Sequence, residues 1–169
     1  MNMKDLANNF QKIVICKLNH GYHYEACPVE KFKGLLSEDR ENTDYVSLRV
    51  DERTHVYISI NQKDKSNFEA KINYRPSGVR IMLFKMNEND EVVGYVGGNS
   101  GISRDVHFES VLEAGSYLIS SEIEWENSLP QDYVISAYGD KFVDLVKMER
   151  EENHSKLVEN VAKWYVKQH

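Results

Sequence analysis

The stretch at residues 104–125, RDVHFESVLEAGSYLISSEIEW, decides how the whole chain is read. It holds a histidine, several carboxylates and several hydroxyls, so it admits a reading as the lining of an active site. It also divides into two alternating runs around Ala114 and Gly115. Val106 and Phe108 fall on one side of the first run, with His107 and Glu109 on the other. In the second run Tyr117 and Ile119 oppose Leu118 and Ser120. A side-chain period of two, broken by a glycine, predicts two antiparallel strands and a turn. His107 then faces solvent or a sheet neighbour, and the hairpin reading is preferred to the catalytic one.

The same grammar extends in both directions. Val46, Leu48 and Val50 share a face in residues 44–50, as do Val56, Ile58 and Ile60 in residues 54–64. Residues 77–86 set Val79, Ile81 and Leu83 against Arg80, Met82 and Phe84. Asn87 to Asp90 form a hairpin turn, since Asn and Asp bond to their own backbone and tolerate positive φ. Residues 91–98 pair back, and residues 131–139 make a last strand. Upstream, residues 12–18 (KIVICKL) read as a strand, whereas residues 19–44 are broken by Gly21, Pro28 and Gly34. They read as a long loop with at most a helical turn near residues 32–36. The sum is an eight-stranded antiparallel β-sandwich. No alternation of strands and helices supports a doubly wound sheet. The glycine-rich GYVGGNSG at residues 94–101 lacks the Gly-Lys-Ser/Thr ending and the following helix of a phosphate loop, so it reads as a turn.

After Gly139 the pattern predicts helix, with no Gly or Pro in residues 140–169. Leu157, Val161, Trp164 and Tyr165 recur at i, i+4, i+7 and i+8, an apolar stripe too large for a free helix. It is buried either against the sandwich or against a protein partner. The organisation is therefore an N-terminal strand and long loop (residues 1–44), a sandwich core (45–139) and a C-terminal amphipathic helix (140–169).

With 169 residues the chain suits one domain with a real core. The net charge of −6 opposes nucleic-acid binding, which needs Lys and Arg gathered on one face. The first eleven residues lack an apolar signal region, and no run reaches the length of a membrane-spanning helix, so a cytoplasmic protein is expected. Cys16, His20, His23 and Cys27 fall within twelve residues, an order that suggests zinc, but Cys16 sits in an apolar run where a buried reduced thiol is the commoner role. Three acidic connections offer oxygen ligands. If Asp39, Asp90, Glu91 and Glu124 converged at one end of the sandwich they would suit calcium, although none lies in a calcium-loop motif and acidic loops are usually solvated. Residues 61–76 form the most basic loop. There Lys63, Lys65, Phe68, Tyr74 and Arg75 could meet phospholipid or an acidic partner.

The arrangement resembles the C2-like domain of calpains, the domain III type. The resemblance rests on VYISINQKD (residues 56–64), GVRIMLFKM followed by VVGYVG, the segment from Ser103 to Trp125 and the closing DYVISAYG. Its most specific pieces are Gln62-Lys63-Asp64 and the Leu-x-x-Gly-x-Tyr of Leu112 to Tyr117. It covers residues 45–139. Where calpains commonly carry Pro-Ser-Thr, this chain has Ser120-Ser121-Glu122. The resemblance implies an eight-stranded sandwich of the kind that follows the calpain protease core, and it links such domains to calcium-sensitive, phospholipid-directed or interdomain contacts. It implies no protease here, because no segment is left to hold the Cys, His and Asn that such a core needs. Three functions compete: a non-catalytic interaction or scaffold module, a calcium- or lipid-responsive regulatory domain, and an enzyme using the histidines and carboxylates. The first is preferred, with no catalytic residue and no obligatory cofactor.

Overall fold

The computed structural model describes residues 21–31, 43–69, 73–124, 131–148, 159, 161–164 and 166. Among them are nine strands: β1 (His23–Lys31), β2 (Thr43–Val50), β3 (Thr54–Gln62), β4 (Gly78–Met86), β5 (Val92–Ile102), β6 (Asp105–Leu112), β7 (Gly115–Glu124), β8 (Gln131–Gly139) and β9 (Val143–Lys147). They form two antiparallel sheets, one ordered β1-β8-β3-β6 and the other β5-β4-β7-β2-β9. The pairings nest: β1 with β8, β2 with β7, β3 with β6 and β4 with β5. This is one long hairpin rolled across two sheets, the order of a jelly roll.

Alternation places the core. Val46, Leu48 and Val50 of β2, Val56, Ile58 and Ile60 of β3, and Val79, Ile81 and Leu83 of β4 join one buried cluster with residues of β6, β7 and β8. Both sheets contribute, so their inner faces meet. The two strands and the turn expected at residues 104–125 are present over residues 105–124, with the strands in different sheets rather than paired: β6 and β7 are joined at Glu113 and Ala114, and β7 begins at Gly115, whose φ of +147° suits only glycine. Its Tyr117 is buried, and the hydroxyl returns 2.8 Å to the Glu113 carbonyl, locking the corner. At the β5–β6 edge, Gly97 has φ +158°, and a Cβ there would stand 2.8 Å from the Phe108 ring. The missing side chain lets Phe108 close the gap between the sheets.

Two other sequence expectations change, and one more is not reached. The long loop at residues 19–44 contains β1, which the loop reading lacked. β1 is an edge strand, where Pro28 is tolerated because an edge does not need every N–H. The helix expected over residues 140–169 contains β9 instead at its start. Val143 and Leu145 pair across β2 and reach the core, so sheet pairing overrides helix propensity. The strand expected at residues 12–18 lies outside the described residues.

Candidate functional site

The two sheets differ on their outer faces. On the five-stranded sheet Tyr45, Met82, Phe84, Met86, Val92 and Leu118 form a second buried cluster. Val161 of the C-terminal segment is buried in it, and Met148 and Trp164 pack against it. The Trp164 indole donates to the Val92 carbonyl at 3.3 Å. The apolar surface of Val161 and Trp164 is thus used within the chain, where a partner-facing role requires it free. For these two residues the structure shows packing on the sheet, the first of the two alternatives the sequence left open. The side chains of Leu157 and Tyr165 lie outside the described residues.

The outer face of the four-stranded sheet is polar and aromatic. Register builds it in rows. Tyr138, Tyr57 and Glu109 stand side by side, then Ser136, Ser59 and His107, then Val134, Asn61 and Asp105. Tyr57 stacks on its diagonal neighbour His107 with centroids 5.0 Å apart and planes 19° apart, and meets Tyr138 edge-on at 6.1 Å. The Asn61 side-chain amide donates to Asp105 at 2.9 Å, and the Ser59 hydroxyl donates to the Asn61 side-chain oxygen at 3.1 Å. One row further, His55 hydrogen-bonds the Tyr22 hydroxyl through Nδ1 at 3.0 Å, and its Nε2 lies 4.0 Å from Glu109. The His55 amide is held by Asp140 at 2.8 Å. Burial first, then the negative charge of Glu109 and Asp105, push the Tyr57 phenol above its ordinary pKa. His107 and Glu109 are exposed while Ser59 and Ser136 are buried, so rings and carboxylates stand above a floor of small residues.

The basic loop is folded on itself. Tyr74 is buried, stacks on Phe68 at 4.2 Å and donates to the Lys63 carbonyl at 2.6 Å. Its ring is therefore not the lipid contact expected of it. Asp64 accepts from the Ser66 amide and caps the short 3-10 turn Lys65–Asn67. That backbone hydrogen bond, more than Arg104 at 3.5 Å, lowers the Asp64 carboxyl below its usual pKa. Lys63, Lys65 and Arg75 are exposed along this loop.

The calcium candidates do not converge. Asp90 and Glu91 lie in the turn after β4, while Glu124 pairs with Gly78 at the start of that strand. Nine residues of β4 separate them, roughly 26 Å at about 3.3 Å per residue. Asn87 organises the turn: its side-chain oxygen accepts from the Asn89 and Glu91 amides, both at 2.9 Å. Asp39 lies outside the described residues. For zinc, His23 and Cys27 are four residues apart on extended β1, so roughly 13 Å separates their backbones, too far for one ion. Cys16 and His20 lie outside the described residues. Among the described residues no group of three His, Cys, Asp or Glu is gathered to hold a metal. No described helix is long and apolar enough to cross a membrane.

The sequence reading missed the outer face of the four-stranded sheet as a site. Its signal was present in the polar positions of two strands, His55-Tyr57-Ser59-Asn61 and Asp105-His107-Glu109, which only register brings together. No protein-family model matches the chain, and no curated protein matches it.

Proposed function

We propose that this chain is a non-catalytic binding module, a calpain-type C2-like sandwich acting as an interaction or scaffold domain, with the outer face of its four-stranded sheet turned to the partner. One observation carries the reading: the C-terminal segment covers the apolar outer face of the five-stranded sheet, while the opposite face presents Tyr57, His107 and Glu109. Aromatic and polar side chains on a rigid sheet are the composition of a recognition surface. A binding role is favoured over catalysis by the histidines' own contacts. His55 bonds a tyrosine and His107 stacks on one, an arrangement that orients rings and activates no nucleophile. The separation of Asp90 from Glu124 removes the convergence on which a calcium-responsive reading stood.

Site-specific photo-crosslinking tests the proposal. A benzophenone amino acid is placed at position 57 and, separately, at position 88 in the β4–β5 turn, and the full chain is irradiated in native extract. A defined protein crosslinked from 57 and absent from 88 is expected. The same products from both positions, or none from 57, would overturn the reading.

A further inference from the structure

The two sheets end in four edge strands, β1 and β6 on one and β5 and β9 on the other. An edge leaves backbone donors and acceptors open to a further strand, and folds blunt such edges with charge, proline, brevity or bulges. β1 carries Glu25, Pro28, Glu30 and Lys31. β6 carries Asp105 and Glu109, and its His107 carbonyl accepts from the Asn99 side chain at 2.7 Å. β9 is only five residues long and carries Asp144 and Lys147. β5 differs: its eleven residues, VVGYVGGNSGI, hold no charge and no proline. Its Val93, Tyr95, Val96 and Ile102 are exposed, half of the exposed large apolar side chains among the described residues.

The one blunting device of β5 is a pair of bulges, and these present apolar side chains rather than hide them. Gly97 pairs with Leu83 and Tyr95 with Phe84, so Val96 has no opposite number on β4. Gly94 pairs with Lys85 and Val92 with Met86, so Val93 has none either. Side chains close the strand toward its two ends. Trp164 donates to the Val92 carbonyl at 3.3 Å, and the Asn99 side-chain oxygen accepts the Ser100 amide at 2.9 Å. Between them run residues 93–98, VGYVGG, with three of the four exposed side chains.

We propose that β5 docks a second copy of this chain, the two β5 strands pairing antiparallel about a two-fold axis between Tyr95 and Val96. This edge is separate from the face used in the binding-module reading, and the inference goes beyond that reading. The register sets each Tyr95 opposite the other copy's Val96, an aromatic and β-branched pair of the kind that stabilises sheets. It sets Val93 opposite Gly98 and Gly94 opposite Gly97, so no bulky pair crowds the flanks. Charge favours this occupant at this edge. A net charge of −6 opposes self-association in general, and β5 is the edge along which two copies meet with no like charges opposed. The acidic turn with Glu88, Asp90 and Glu91 falls beside the uncharged residues 100–103 of the other copy, away from that copy's own turn. Both copies use the same edge, so the contact closes on itself and the assembly stops at a dimer.

Sedimentation velocity of the full chain, with the concentration raised to about 100 μM, tests this. A reversible monomer–dimer equilibrium is expected. Val96→Lys sets two like charges beside the axis and is expected to raise the dimer dissociation constant about tenfold. Val111→Lys, at an exposed apolar position on β6, is expected to leave the equilibrium unchanged and controls for generic stickiness. Far-UV circular dichroism checks that each variant keeps its sheets; should Val96→Lys lose them, Tyr95→Lys decides. A wild type that stays monomeric throughout, a dimer that β5 lysines leave intact, equal dissociation by Val111→Lys, or growth beyond the dimer would each overturn the inference.

Discussion

Gln62 grips Ser77 from both sides. Its side-chain amide donates to the Ser77 carbonyl at 2.9 Å, and its side-chain oxygen accepts the Ser77 amide at 3.0 Å. The same nitrogen reaches the Ser103 carbonyl at 3.1 Å, and the Gln62 backbone amide donates to Arg104 at 2.8 Å. One buried glutamine thus joins the end of β3, the entry to β4 and the β5–β6 turn. The next two residues of the motif serve the same corner, Lys63 by its carbonyl to Tyr74 and Asp64 by capping the following turn.

Gln62→Leu should therefore be costly out of proportion to its size. It leaves the Ser77 amide and carbonyl buried and without the glutamine's pairing, for a loss of about 3 kcal/mol. Urea unfolding followed by fluorescence measures it; a loss below about 1 kcal/mol would show that other groups satisfy Ser77.

Gly97→Ala should also destabilise, by about 2 kcal/mol, because it combines a positive φ with a Cβ placed against the Phe108 ring. In a double-mutant cycle, Phe108→Leu should relieve the steric share and leave the backbone share. Strict additivity of the two changes would mean that the ring is not the obstacle.

Much of this fold was legible because alternation survives in each strand with one wet face. Residues 54–62 and 105–112 each fixed their inward side chains directly. β1 was hidden because an edge strand carrying Pro28 shows neither alternation nor a continuous apolar run. β9 was hidden because Val143, Leu145 and Val146 fit a helix as well as a strand, and the pairing with distant β2 decides. The cover on the five-stranded sheet had a signal that went unread. Ile81-Met82-Leu83-Phe84 is apolar at four successive positions, the mark of a strand buried on both faces. The candidate site was least legible, since its rows pair residues 44 to 81 apart that only the sheet register places side by side.

The C-terminal cover makes a prediction of its own. Trp164→Ala should cost about 2 kcal/mol by stripping apolar surface from the Tyr45, Met82, Phe84 and Leu118 cluster. The variant should bind a hydrophobic dye more strongly than the wild type and be prone to self-association. Unchanged stability and dye binding would mean that the segment does not rest on the sheet in solution.

Asp64 supplies a test by pH. Its carboxyl is lowered below the ordinary 3.8 chiefly by the Ser66 amide, so the charged form is favoured by folding. A depressed folded-state pKa contributes stability that is present above 3.8 and is lost as the pH falls through the lower folded value. The urea midpoint of Asp64→Ala should thus lie below that of the wild type at pH 7, and the gap should narrow toward pH 3. A gap independent of pH would assign the effect to something other than the carboxylate's charge.

The most direct measurement of the central claim is hydroxyl-radical footprinting of the full wild-type chain, alone and mixed with the partner protein that crosslinking identifies. Alone, Tyr57, Tyr138 and His107 should be oxidised more readily than Phe84 and Leu118. In the complex, Tyr57 and His107 should become protected while Tyr95 on β5 is unchanged. Protection of Tyr95 with Tyr57 and His107 still reactive would contradict the account and move the binding surface to the edge of the five-stranded sheet.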